Sequence, residues 1–84
     1  MKMEHIKTKY EDCYLVGGKR EGEYKRYWSN GKLGEHCFYS KDKLEGEYKR
    51  YWDNGKLETI KYYENGKEVK SKFEIKVLKK LWKK

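Results

Sequence analysis

Cys13, Cys37, His5 and His36 are the side chains of this sequence whose types could hold a metal or supply a nucleophile. Their spacing argues against both. The two cysteines lie 24 residues apart, the interval at which the chain repeats itself, so they fall on equivalent positions two strands apart. Two strand spacings set their Cα atoms ~9–10 Å from one another, beyond the reach of a disulfide. Both are expected as reduced thiols. His36 and Cys37 are neighbours, which on a strand sends them to opposite faces and denies them a shared metal or a Cys–His pair. No zinc-type ligand spacing occurs. Carboxylates recur by copying, Glu21 with Glu45 and Glu23 with Glu47. An acid–base pair needs one unique asymmetric site, so these acids read as solvent-facing strand decoration. With no glycine-rich phosphate loop, nucleophile elbow, metalloprotease pattern or cofactor motif, the sequence points to a protein that is not an enzyme and binds no cofactor.

What must position these residues is a repeat. GEYKRYWSNGKL, from Gly22 to Leu33, returns as GEYKRYWDNGKL, from Gly46 to Leu57, identical at eleven of twelve positions. Five dipeptides punctuate the chain: Gly17-Gly18, Asn30-Gly31, Lys41-Asp42, Asn54-Gly55 and Asn65-Gly66, at intervals of 13, 11, 13 and 11 residues. Asn-Gly and Gly-Gly supply the positive φ of two-residue primed hairpin turns. Lys41-Asp42 has the weakest turn chemistry and is placed by the rhythm. The intervening segments, residues 10–16, 20–28, 33–39, 44–52, 57–63 and from 69 onward, have strand length. The expected fold is mainly β: a single-layer antiparallel meander of six strands, whose hairpin units stack because none can bury its apolar surface alone.

Counting outward from a two-residue turn at Asn30-Gly31, Trp28 opposes Leu33, Arg26 opposes Glu35 and Tyr24 opposes Cys37; at Asn54-Gly55, Trp52 opposes Leu57. Aromatic–aliphatic and opposite-charge pairs are the favourable cross-strand combinations. Alternation places Tyr24, Trp28, Tyr48 and Trp52 on one face and Tyr27 and Tyr51 on the other. Two readings of these rings stand. In a sheet with no second layer they must shield one another, the reading for Tyr27 and Tyr51. A half-covered strip of Tyr24, Trp28, Tyr48 and Trp52, with Leu33 and Leu57, would also offer a docking surface to an amphipathic partner segment.

These residues resemble a known family. GEYKRYWSNGKL, GEYKRYWDNGKL and the shorter YYENGK from Tyr62 to Lys67 look like the MORN repeat (membrane occupation and recognition nexus) in its variant form, with Gly before the aromatic strand and Asn-Gly-Lys after it. The resemblance covers about residues 15–69. It implies an elongated single-layer antiparallel sheet used as a protein-interaction scaffold, and some small bacterial proteins with this variant are called antitoxins. The pattern departs at Lys70, which stands where Gly22 and Gly46 do, and at Lys41-Asp42. The resulting organisation is one domain over residues 1–84, with repeats at about 15–38 and 39–62, a partial cap at 63–77 and a basic tail at 78–84.

Composition bounds the partners. Charged residues make up 43% of the 84 and aromatic residues 17%; so many rings argue against disorder and assign the ordering to aromatic contacts. The net charge of +8 belongs to the end of the chain: residues 70–84 hold seven Lys and one acid, which leaves 15 basic and 13 acidic groups elsewhere. In that tail Val69, Ser71, Phe73, Ile75 and Val77 alternate as a strand would, while Phe73, Val77, Leu78, Leu81 and Trp82 share one helical face. A strand to about Val77 and a short C-terminal helix over 78–84 are expected. Lys79, Lys80 and Lys83 beside Trp82 suit an anionic lipid surface or phosphate, the alternative to a protein partner. Nucleic-acid base recognition is unsupported, for the aromatic strands lack the ribonucleoprotein signature. No apolar run suffices for a signal peptide or a membrane span, which places the chain inside a cell, in the cytoplasm. An open sheet leaves two edges, residues 10–16 being the first, so a weak homodimer through edge strands is expected.

Overall fold

A computed structural model of the chain describes residues 2–70. Every regular element among them is a strand: β1 (Met3–Lys7), β2 (Glu11–Val16), β3 (Lys19–Arg20), β4 (Gly22–Tyr27), β5 (Leu33–Ser40), β6 (Lys43–Leu44), β7 (Gly46–Tyr51), β8 (Leu57–Glu64) and β9 (Lys67–Val69). They form one antiparallel sheet in the order β1-β2-β4-β5-β7-β8-β9, with β3 beside β2 and β6 beside β5. The extents are 47 × 36 × 13 Å, and a thickness of 13 Å admits one layer of strands with side chains on both faces.

The meander is the expected one, with three differences in its detail. First, Met3–Lys7 forms a strand that the sequence reading left out. It pairs with β2 from Met3↔Val16 to Lys7↔Asp12, so β2 is an inner strand and the first edge lies at Met3–Lys7, not at residues 10–16. Its turn needs no glycine, because the Thr8 hydroxyl accepts the Tyr10 and Glu11 amides at 3.3 and 3.0 Å, a side chain standing in for a backbone turn.

Second, the expected strands 20–28 and 44–52 are each broken. Leu15↔Arg20 and Asp12↔Lys25 are both in register, so four residues, Glu21 to Tyr24, face only Cys13 and Tyr14. The same excess recurs where Tyr39↔Leu44 gives way to His36↔Lys49. Gly22 and Gly46, at φ of 88° and 87°, take the bend, a conformation other residues enter only with strain.

Third, the five turns are of two kinds. Gly17-Gly18, Lys41-Asp42 and Asn65-Gly66 have positive φ at both residues, as primed two-residue turns require. The other two are wider. Gly31 N–H donates to the Trp28 carbonyl and Trp28 N–H to the Lys32 carbonyl, so Ser29, Asn30 and Gly31 make a three-residue turn in which only Gly31 has positive φ. A bulge follows at Gly34, and the pairing becomes Tyr27↔Leu33 and Arg26↔Glu35. Trp52 to Lys56 repeats this arrangement, leading to Tyr51↔Leu57. Leu33 and Leu57 therefore oppose Tyr27 and Tyr51, not Trp28 and Trp52. The side-chain carbonyls of Asn30 and Asn54 accept the Lys32 and Lys56 amides, both at 2.9 Å, which explains why asparagine serves here without a left-handed φ.

The repeats are fastened at both ends. Asp42 N–H donates to the Arg20 carbonyl and Gly66 N–H to the Leu44 carbonyl. Glu21 accepts the Lys41 amide and Glu45 the Asn65 amide, both at 2.9 Å. These copied carboxylates are turn-to-strand ties, not the solvent-facing decoration expected of them. The buried core comprises Cys13, Tyr24 and Cys37, with Ile6, Tyr39, Leu44 and Tyr48 packed around it. The core is small and mixed, two cysteines and a tyrosine ringed by two tyrosines and two aliphatic side chains, rather than the purely aromatic one anticipated from composition.

Candidate functional site

The first repeat spends its aromatic face internally. Tyr24 is 6% exposed, meets Tyr39 edge to face at 5.7 Å, and donates its hydroxyl to Glu11 at 2.9 Å. Arg20 covers both rings, 5.2 Å above Tyr24 and 5.4 Å above Tyr39. Twenty-four residues on, Tyr48 meets Tyr63 at 5.9 Å and donates to Glu35. Such ring pairs contribute ~0.5–1.5 kcal/mol each beyond area. Glu11 and Glu35, themselves a repeat apart, are the acceptors that sequence reasoning missed; their spacing was the available signal.

The thiols and phenols of this face are held neutral. Burial first, then the neighbouring Glu35, pushes the Cys37 thiol up to about 12, and burial also raises Cys13. Both cysteines are free and buried and stay protonated at neutral pH, which removes the thiolate that a nucleophile or a ligand would need. Desolvation, reinforced by the hydrogen bonds to Glu11 and Glu35, likewise holds the Tyr24 and Tyr48 hydroxyls neutral. His5 and His36 are apart: His5 stacks on Tyr14 and meets Asp12 at 2.5 Å, whereas His36 meets Glu23 at 2.8 Å. Among the described residues, no group of three or more His, Cys, Asp or Glu is placed to hold a metal.

The tryptophans separate the repeats. Trp28 lies over Gly34, where a Cβ would come within 3.1 Å of its indole nitrogen, and its N–H donates to the Tyr51 carbonyl of the next repeat at 3.1 Å. Asn30 makes the parallel bond to the Asp53 carbonyl at 2.8 Å. Arg26 sits 6.0 Å from the Trp28 ring and 3.3 Å from Glu35. In the second repeat Glu58 occupies the place of Gly34, its carboxylate 3.9 Å from Arg50. A side chain there crowds the pose that Trp28 adopts, and Trp52 is 53% exposed. Leu57 is exposed too, at 51%, and Ile60 at 42%.

Of the residues singled out from sequence, Tyr24 is thus buried, Trp28, Leu33 and Tyr48 are half-buried, and Trp52 and Leu57 are open. Trp28 shares its face with Arg26, while Leu33 projects with Tyr27 through the shifted register. Lys79, Lys80, Trp82 and Lys83, together with the expected last strand and C-terminal helix, lie outside the described residues. Gly34 is the position that sequence reasoning passed over; a glycine away from any turn, replaced by Glu58 in the copy, was its mark.

Comparison with known families agrees with this architecture. A family model described as MORN repeat variant matches residues 20–41 and 44–65, each match running from the strand beside one primed turn to the next. No curated protein and no solved structure gives a significant match. No helix among the described residues is long and apolar enough to cross a membrane.

Proposed function

The chain belongs to the MORN repeat family in its variant form, a non-enzymatic repeat module associated with protein or membrane binding, and from that premise we propose that it is a scaffold that binds a protein partner at the second-repeat end of its sheet. The observation that carries this reading is the contrast between two copied tryptophans. Trp28 is tucked over Gly34 and bonded to Tyr51, while Trp52 stands exposed on the Tyr48 face and Leu57 and Ile60 stand exposed on the other face of the same hairpin. Three large apolar side chains left open on one hairpin mark a contact surface. Tryptophan is also the side chain most often found at the energetic centre of an interface. We assign the amphipathic segment foreseen for the whole aromatic strip to this end, since Tyr24 of the first repeat is buried.

The experiment is site-specific photocrosslinking in the native cell. A photoreactive phenylalanine analogue is placed at position 52 of the full chain and, as a control, at the exposed Phe38. The expected result is one protein joined at position 52 and not at 38, through a single segment, and displaced by unlabelled wild type but not by a Trp52→Ala chain. Adducts with lipid alone would overturn the reading in favour of attachment through Lys79, Lys80, Trp82 and Lys83. Equal labelling at both positions would overturn it outright.

A further inference from the structure

Asn30-Gly31, Asn54-Gly55 and Asn65-Gly66 are each followed by lysine, and all six residues are exposed to water. Such a pair can modify itself. The glycine nitrogen gives up its proton and bonds to Cγ of the asparagine side chain, the Cγ–Nδ2 bond breaks, and Nδ2 leaves with a proton as ammonia. Water then opens the resulting succinimide at one of its two carbonyls. Breaking the bond from nitrogen to Cγ gives aspartate, and breaking the bond from nitrogen to the main-chain carbonyl carbon gives isoaspartate. Glycine favours the first step because no side chain crowds its nitrogen. With Asn-Gly-Lys common to all three sites, local sequence separates them little, and the fold decides which one reacts.

Attack requires the asparagine side chain to turn its carbon onto the glycine nitrogen, so each hydrogen bond that fixes Oδ1 or Nδ2 opposes it. Asn30 is held by two: Oδ1 accepts the Lys32 amide at 2.9 Å, and Nδ2 donates to the Asp53 carbonyl at 2.8 Å. At Asn54, Oδ1 likewise accepts the Lys56 amide at 2.9 Å. Asn65 stands in the other kind of turn. Its φ of 54° and the 84° of Gly66 make the primed two-residue form, and here it is the backbone N–H of Asn65 that is bonded, to the Glu45 carboxylate at 2.9 Å. Among the described residues the Asn65 side chain makes no hydrogen bond that must be broken. The 24-residue register aligns residues 71–84 with 47–60, none of which bonds to the equivalent turn at Lys41-Asp42. The attacking nitrogens do not separate the sites, for Gly31, Gly55 and Gly66 each donate to a carbonyl at 2.9 Å. We propose that Asn65 is the chain's site of spontaneous deamidation and isoaspartate formation, and that the three-residue turns protect Asn30 and Asn54.

The reaction alters what the turn fastens. Asn65 N–H is bonded to the Glu45 carboxylate and Gly66 N–H to the Leu44 carbonyl. Isoaspartate inserts a methylene into the main chain between these two amides, and either product adds a negative charge to the turn that Glu45 already caps. Both changes loosen β9, which meets β8 over only three pairs. The test keeps the full chain at mildly alkaline pH and samples it over time. Trypsin isolates the three sites in the hexapeptides 27–32, 51–56 and 62–67, and mass spectrometry follows the amide lost from each. A lost hydrogen bond slows the step about two- to tenfold, so 62–67 should lead 27–32 by about fivefold or more and lead 51–56 as well. In urea the three should convert at similar rates. Asn65→Gln, whose longer side chain closes no five-membered ring, should remove most of the isoaspartate, and hydrogen exchange at the β9 amides should quicken in the converted fraction. Conversion of 27–32 or 51–56 as fast as 62–67 in the folded chain would overturn the proposal. So would the folded order persisting in urea, which would assign it to sequence alone, or an Asn65 that stays intact.

Discussion

Substituting alanine at Gly34 tests whether a single missing side chain decides the state of each tryptophan. A Cβ at this position would lie 3.1 Å from the Trp28 indole nitrogen and 3.3 Å from two of its ring carbons. Gly34 is not at positive φ, so alanine brings no backbone strain. By restricting the unfolded chain it would otherwise stabilise by ~0.4–1 kcal/mol. Two responses are open to the indole. It can stay and bear the overlap, at the ~1–3 kcal/mol typical of an overpacked site. Or it can lift, forfeiting the bond to the Tyr51 carbonyl, ~0.5–1.5 kcal/mol, and exposing ring surface at ~25 cal/mol per Å². Either way the cost is about 2 kcal/mol against a gain below 1, so a net loss of about 1 kcal/mol is expected. Urea unfolding in a Trp52→Phe, Trp82→Phe background reads the stability. The emission of the remaining Trp28 reads the lift as a red shift, and Gly34→Glu, which copies the second repeat, should give the larger one. An alanine variant as stable as its parent, with unshifted emission, would refute the argument that Gly34 seats Trp28.

Other perturbations address other parts of the sheet. Lys41 holds φ of 51° where its repeat equivalent is Asn65, so Lys41→Asn should stabilise by about 0.5–1 kcal/mol in chemical denaturation, asparagine tolerating the left-handed region better. Gly22→Ala meets no atom within 4 Å yet sits at φ +88°, and should destabilise by ~1–2 kcal/mol through backbone strain alone. Cys37, Tyr24 and Tyr48 are held neutral above their ordinary values of 9.0 and 10.0. As pH rises past 9.0 the unfolded chain releases protons that the folded one keeps, so Tm should fall steadily from there while staying flat near neutrality. Native Cys37 should resist alkylation until the chain unfolds. Asp12 shows the opposite sign: the hydrogen bond from His5 holds its carboxyl below the usual 3.8, so the contribution is present above 3.8 and lost as pH falls through the folded value. Exchange at the amides of β1 should accelerate there, and Asp12→Asn should show the faster exchange already at neutral pH.

How much of this was legible in the sequence depends on what each residue had to do. Period and punctuation gave the meander, because alternation and positive-φ dipeptides are local physics. They also gave Arg26↔Glu35 and Tyr24↔Cys37, since these pairs survive the change of turn. The tip of each long hairpin was misread because Asn-Gly serves two turns. It makes a primed pair at Asn65-Gly66, but a three-residue turn at Asn30-Gly31, where the Asn30 side chain caps Lys32. The compensating bulge at Gly34 restores the register below it and moves Leu33 and Leu57 to the other face. Conversely Lys41-Asp42, poor in local signal, is a primed turn. Its neighbours supply what it lacks: the Glu21 carboxylate, the Arg20 carbonyl and the Asp42 side chain, which accepts the Arg20 amide at 3.2 Å. Met3–Lys7 escaped because its turn is made by a threonine hydroxyl, with neither glycine nor asparagine to announce it.

The function argument turns on where copying stops. Within twelve residues the repeats differ by Ser29 and Asp53, both exposed at a hairpin tip, and that change moves little. One residue beyond the copied stretch Gly34 becomes Glu58, and the consequences accumulate on the same strand: Glu35 gives way to Thr59, His36 to Ile60 and Cys37 to Lys61. Each first-repeat residue serves the interior, by seating Trp28, accepting Tyr48, bonding Glu23 or filling the core. Among the described residues none of the replacements performs that service, and each presents a charge, a hydroxyl or an exposed aliphatic group. A strand that had merely drifted would scatter such losses over the repeat. Here they fall together on β8, the last long strand among the described residues, in the hairpin that carries the exposed Trp52, while the turn, the bulge and Tyr48 with its own partners are kept. Retaining the scaffold while changing one strand is the pattern that the contact surface proposed around Trp52 predicts.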